Sequence, residues 1–171
     1  MDKLIVHRDT MTAVCSFNME REFQIRRADE KPLSYEVPAE IEVIGESCFE
    51  ETQVDYVTFA AGSRLKRIEK NAFAGCMNLK SIEIPASVEV IGENCFGIPE
   101  DVDKECSGVW GYNAQHYKGA LERITFASGS CLKRIEDRAF QCCSGMKGIV
   151  VPPGVELGKD CFPKSTVIRR K

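Results

Sequence analysis

The sequence has little of what most catalytic chemistry requires. Its two histidines, His7 and His116, stand apart, neither belongs to an H-E-x-x-H pair, and no G-x-S-x-G elbow or phosphate-cradling glycine loop occurs. An enzyme has no usual sequence basis here, and no cofactor is implied. Net charge is also scarce: 23 basic against 26 acidic side chains leave −3 over 171 residues, too weak a field to call for nucleic acid. No run approaches the roughly 18 apolar residues of a membrane helix, and the opening MDKLIVHRDT has no signal-peptide core. As given, the chain reads as soluble and without an address. It is expected in the cytoplasm if complete, and at the cell surface or secreted if cut from a longer protein.

What the chain does have is repetition. Residues 59–85 read FAAGSRLKRIEKNAFAGCMNLKSIEIP, and residues 126–152 read FASGSCLKRIEDRAFQCCSGMKGIVVP. A second pair interleaves, PAEIEVIGESCF at 38–49 and PASVEVIGENCF at 85–96. Phe49, Phe73, Phe96, Phe140 and Phe162 mark the period at 24, 23, 44 and 22 residues, and Ile44, Ile68, Ile91, Ile135 and Leu157 keep the same step. The long interval is an insertion at about 97–119, because Leu121 to Met146 restores the 25-residue spacing of Val54 to Leu79. A repeat that cannot bury its own apolar face must stack on its neighbours, so the fold class is a repeat solenoid.

Each repeat reads as one circuit. Residues 81–84 (SIEI) alternate in and out as a half-buried strand should, with Pro85 closing them, and residues 35–37, 57–59, 124–126 and 149–151 match. These short strands are expected to stack in parallel as one sheet. A second apolar pair follows, Val88 and Ile91 with their equivalents, and then a segment such as 69–73 that is too short for a helix and predicts a single helical or 3₁₀ turn. The phenylalanines should form the spine of the core.

The pattern I-x-I-P, an apolar pair, I-G or I-E, A-F or C-F, G-C and then L is carried by IEIPASVEVIGENCF (82–96) and LKRIEKNAFAGCMNLKSIEIP (65–85). It resembles the BspA-like leucine-rich repeats, of the type-5 kind, over residues 35–162, about three quarters of the chain. The resemblance implies a right-handed leucine-rich repeat superhelix and a non-enzymatic protein-binding module of the surface, adhesion type. It brings no catalytic residues. An intracellular scaffold or recognition domain is the alternative.

Nine cysteines without a C-x-x-C pair or a Cys–His grouping argue against a metal centre. Cys48, Cys95 and Cys161 hold the small position before the phenylalanine, where Ala72 and Ala139 stand in sister repeats, and Cys76 and Cys143 are equivalent to each other. These five read as small buried hydrophobes. Cys106, ten residues before His116, is placed too loosely to count as a nucleophile pair, and residues 100–103 (EDVD) lack the spacing and glycine of a calcium loop. Free thiols lean toward a reducing compartment.

Between the second apolar pair, Glu42, Lys66, Glu89, Lys133 and Glu156 alternate in sign, which predicts a charge ladder along the axis. Two surfaces are candidates for a protein partner, whether a host or matrix protein or an intracellular one. The first is the outward face of the strands, with Tyr56, Thr58, Ser81, Glu83, Arg123 and Thr125. The second is the insertion, which gathers the only tryptophan, Trp110, with Tyr112, His116 and Tyr117 among glycines. Residues 1–33 depart from the repeat and are expected to cap the solenoid of 34–171, about five repeats, through a hairpin of 12–17 with 23–26. The last strand, near 166–168, closes with Arg169, Arg170 and Lys171, which blunt an open edge. The chain is then a monomer or an edge-paired homodimer.

Overall fold

The computed structural model describes residues 4–7, 12–15, 32–98 and 120–170. In the repeat region each circuit is built from a four-residue strand, a two-residue strand and a run of turns. The longer strands are β3 (Ser34–Val37), β5 (Tyr56–Phe59), β7 (Ser81–Ile84), β9 (Arg123–Phe126), β11 (Gly148–Val151) and β13 (Val167–Arg170). The shorter ones are β4 (Val43–Ile44), β6 (Arg67–Ile68), β8 (Val90–Ile91), β10 (Arg134–Ile135) and β12 (Glu156–Leu157), preceded by β1 (Leu4–His7) and β2 (Thr12–Cys15). Period-two patterning shapes the longer strands. In β7, Ile82 and Ile84 are buried and Glu83 is exposed, and Pro85, lacking an N–H, ends the ladder.

The short strands make the continuous sheet. From β2 to β12 they pair in parallel, with Ile44, Ile68, Ile91, Ile135 and Leu157 in register, and β1 lies antiparallel outside β2. Strands β8 and β10 pair directly although 44 residues separate Ile91 from Ile135, so the register of the stack is unbroken across the insertion. The hairpin differs from the expected one. Thr12–Cys15 pairs with Leu4–His7 on one edge and β4 on the other, and residues 23–26 lie outside the described residues.

The longer strands do not form one sheet, as the spacing predicts, but three parallel pairs: β3 with β5, β7 with β9, and β11 with β13. Circuit length accounts for this. Ser34 to Tyr56 is 22 residues, whereas Tyr56 to Ser81 and Arg123 to Gly148 are each 25, and both breaks follow the longer circuit. Two extra residues enter the turns at Gly62 and Gly129, whose φ values of 74° and 76° suit glycine, and a third enters the return arc after the phenylalanine. The next strand then arrives beside its neighbour but outside hydrogen-bonding register.

The phenylalanines form the expected spine. Rings of Phe49, Phe73, Phe96, Phe140 and Phe162 stack at 4.9, 5.1, 5.0 and 5.4 Å, within 13° of parallel, and Tyr35 meets Phe49 edge-on. Truncating one such buried ring costs about 3–5 kcal/mol. Ahead of Phe49, Phe73 and Phe140 the segment makes an i→i−3 bond, as a 3₁₀ turn does, but does not propagate. Two residues before each phenylalanine, Ser47, Asn71, Asn94, Arg138 and Asp160 hold φ between 50° and 58°, and this left-handed residue stops the helix. Neighbouring N–H groups then point along the axis instead: Asn71 donates to the Glu93 carbonyl at 3.1 Å and Phe73 to that of Cys95 at 2.8 Å. The turns thus add a further axial ladder.

Cys48, Cys95 and Cys161 sit buried before the phenylalanines, as their register with Ala72 and Ala139 predicts. Cys76 and Cys143 do more than fill space. Their thiols donate to the carbonyls of Phe49 at 3.0 Å and Phe96 at 3.4 Å, each one circuit back, satisfying backbone acceptors in the core. Burial pushes the thiols of Cys95, Cys143 and Cys161 up from their ordinary value, so they stay protonated and unreactive. Cys48, Cys76, Cys95, Cys131, Cys142, Cys143 and Cys161 form no disulfide.

The alternation of I-G with I-E has a steric cause. A Cβ on Gly92 would lie 2.6 Å from the Glu69 carbonyl carbon and 2.7 Å from the Lys70 nitrogen, and one on Gly158 would lie 2.6 Å from the Asp137 nitrogen. Charges on this flank pair less regularly than the alternation predicts. Glu42 accepts Arg64 at 2.5 Å and Lys66 at 3.6 Å, and Glu89 accepts Lys133 at 2.5 Å, but Glu156 meets Arg134 at 4.0 Å instead of Lys133. The ladder is therefore two close pairs, because each long side chain takes whichever acid lies nearest in its own or an adjacent circuit. Hydrogen bonding from Lys133 holds the Glu89 carboxyl below its usual value, and bonding from Arg64 does the same for Glu42.

Two outcomes test this packing. Gly92→Ala should lower the melting temperature by roughly 3–10 °C through overpacking against backbone, and an unchanged melt would show that the circuits separate freely there. Glu89→Lys should lower the melting temperature at low ionic strength, with the difference shrinking in 1 M salt, where the screening length is about 3 Å. Because its folded pKa is depressed, the Glu89 contribution is present above the ordinary value of 4.5 and lost as pH falls through the lowered one. Equal melts for both proteins at low salt and neutral pH would remove the pairing.

Candidate functional site

The break between β5 and β7 opens a groove. Tyr56 and Thr58 line one side, Ser81 and Glu83 the other, and Arg123 and Thr125 extend that wall across β9, while buried Val57 and Ile82 floor it. Its volume is about 330 Å³. The six strand-face candidates line this groove, whereas Glu36 and Val150, outward by the same pattern, occupy the column in circuits beyond it. Trp110, Tyr112, His116 and Tyr117 lie outside the described residues, as does Cys106.

Register orders the groove into two ends. Ser81 pairs with Arg123 and Glu83 with Thr125 across the β7–β9 ladder, and Tyr56 and Thr58 hold the same two positions in β5. One end therefore presents Tyr56, Ser81 and Arg123, the other Thr58, Glu83 and Thr125. In an extended chain two residues span about 6.6 Å, so a guanidinium end and a carboxylate end stand that far apart along the strands. Tyr56 is 53% exposed, and the Thr58 hydroxyl donates weakly to the Tyr35 carbonyl at 3.5 Å.

The charges of this face differ from those of the flank. Among the described residues, Glu36, Glu83 and Arg123 make no ion pair, although Glu42, Glu69, Glu89, Glu93 and Glu156 all do. No three His, Cys, Asp or Glu side chains converge among the described residues. The exposed Cys131 lies in the turn after β9, where its thiol points to the Gly129 carbonyl at 3.8 Å.

The roots of the insertion are better defined than the sequence pattern foretold. Asn94 donates to the Asn71 side-chain oxygen at 2.8 Å and to the Ile98 carbonyl at 2.7 Å, fastening the exit of the segment to the turn ladder. Beside it, a notch of about 10 Å³ lies among Met77, Leu79, Phe96, Ile98 and Leu121, room for about one water. The recurrence of Asn at 71 and 94 was the available signal for this anchor.

The model of the BspA type leucine rich repeat region matches residues 31–101 and 111–170 in six copies, one more than the five phenylalanine-marked circuits. The pneumococcal vaccine antigen PcpA is 27% identical, with a TM-score of 0.60 over 80% of this chain and 29% of that one. A leucine-rich repeat protein of T. pallidum is 19% identical, with a TM-score of 0.47 over 99% of this chain and 62% of that one. A leucine-rich cell surface protein of Faecalibacterium prausnitzii is likewise 19% identical, with a TM-score of 0.45 over 78% of this chain and 36% of that one. The chain thus spans less than two thirds of each of these structures, and no curated protein matches it. With stacked circuits in register, a phenylalanine spine and a family match over most of its length, the chain belongs to the BspA-type leucine-rich repeat family.

Proposed function

We propose that the chain is a non-enzymatic protein-binding module of the surface, adhesion type, and that it binds through the groove face. The observation that carries this reading is the meeting of two opposite charges without an ion pair among the described residues, three hydroxyl side chains and an exposed tyrosine in one groove. Solenoids offer such extended surfaces to partners. The likeness to a vaccine antigen favours a partner met outside the cell. The intracellular alternative rests on the cysteines, and stacking accounts for five of the nine as core residues, leaving Cys15, Cys106, Cys131 and Cys142 to favour it. The N-terminal hairpin, continuing the short-strand sheet past β4, acts in this reading as the cap of the first circuit.

Photo-crosslinking capture tests the reading, with the intact protein offered to live host cells, to extracellular matrix and to cytosol. A Tyr56→Ala/Arg123→Ala double variant should lose the captured protein, while Lys66→Ala/Lys133→Ala on the paired flank should keep it. Capture from the cell or matrix fraction supports the surface role, and capture from cytosol alone replaces it with the scaffold role. If both double variants and a deletion of residues 98–118 capture as the intact protein does, the face and the insertion are both excluded.

A further inference from the structure

We infer that the groove recognises an extended segment of its protein partner carrying an acidic and a basic side chain two positions apart. This rests on the protein-binding reading and adds the chemistry of what is bound. The groove is a furrow in a sheet face, floored by Val57 and Ile82, and it lacks the enclosing walls that bury most of a small ligand. A peptide strand cannot enter the sheet between β5 and β7 either. Insertion needs two interstrand spacings of about 4.8 Å each, and Cα atoms facing each other across the break come within 8 Å. The occupant therefore lies over the furrow and is read by side chains.

Spacing selects its sequence. The cationic end at Arg123 and the anionic end at Glu83 are two strand residues apart, and an extended peptide presents every second side chain to one face at the same interval of about 6.6 Å. An Asp or Glu above Arg123 and Tyr56 then places the side chain two residues away above Glu83, between the hydroxyls of Thr58 and Thr125. A Lys or Arg there completes two charge-assisted contacts with groups that have no ion-pair partner among the described residues. Charges three apart would fall on opposite faces of the peptide.

Fluorescence anisotropy with three labelled nonapeptides of Thr and Val tests this: one with Glu-Thr-Lys at its centre, one with Glu-Thr-Val-Lys, and one with Gln-Thr-Gln. The first should bind the full chain about ten-fold tighter than the others at low salt, as two partly exposed charge contacts allow. Glu83→Gln and Arg123→Gln, each checked for an unchanged melt, should both abolish the preference. Equal affinities, no binding, or a preference that survives both substitutions would overturn the inference. So would heparin bound through Arg123 with no contribution from Glu83, which would point to an anionic glycan. Loss of a captured protein in Tyr56→Ala/Arg123→Ala alongside equal peptide affinities would sink this inference alone and leave the binding module standing.

Discussion

Each circuit must close at a height set by the backbone of the one before it, and nearly every regularity of this chain follows from that demand. The rings of the phenylalanine spine lie 4.9–5.4 Å apart, close to the natural spacing of paired strands, so a like side chain must recur at a like place. Where backbones approach too closely for a Cβ, as at Gly92 against Glu69, the residue is glycine. Where a turn must change direction in one residue, φ becomes positive whatever the side chain, from Ser47 to Arg138. Where a core carbonyl faces the next circuit, as at Phe49 and Phe96, a thiol there donates to it.

The same demand explains where the regularity fails. A 22-residue circuit delivers its longer strand onto the previous one in hydrogen-bonding register, and a 25-residue circuit does not. The short strands remain continuous because each longer circuit takes up two of its extra residues in a glycine turn before reaching them, and the third only after the phenylalanine. One side of the solenoid is therefore a closed ladder and the other is opened at β5/β7 and β9/β11. The insertion follows the same logic: since β8 and β10 pair directly, it costs the stack nothing in register.

Much of this was legible in the sequence, because a solenoid writes its contacts as a period. The phenylalanine spine, the in-register isoleucines and the five structural cysteines can be counted without coordinates, and so can the six outward residues now lining one groove. The split of the sheet was not legible, although the extra three residues were there to be counted, because their effect depends on which arc absorbs them. Nor were the left-handed residues, since Ser, Asn, Arg and Asp share no common backbone preference at that site. The ion pairs departed from strict alternation because arginine reach, at Arg64 and Arg134, competes with lysine position.

Departures from the repeat at exposed positions bear differently on function than departures in the core. The outward column holds Thr58 and Thr125 in two circuits and a carboxylate, Glu36 or Glu83, in two others, while Ser34 and Ser81 stand in the column where β9 carries Arg123. Neither charge is required by packing, since both side chains are exposed and neither joins an ion pair among the described residues. On the flank, by contrast, opposite charges in neighbouring circuits satisfy one another, which is what stacking alone would select. Two charges of opposite sign that join no ion pair among the described residues, in adjoining strands beside the groove at the β5–β7 gap, leave room for a partner's charges that the stacked flank pairs do not.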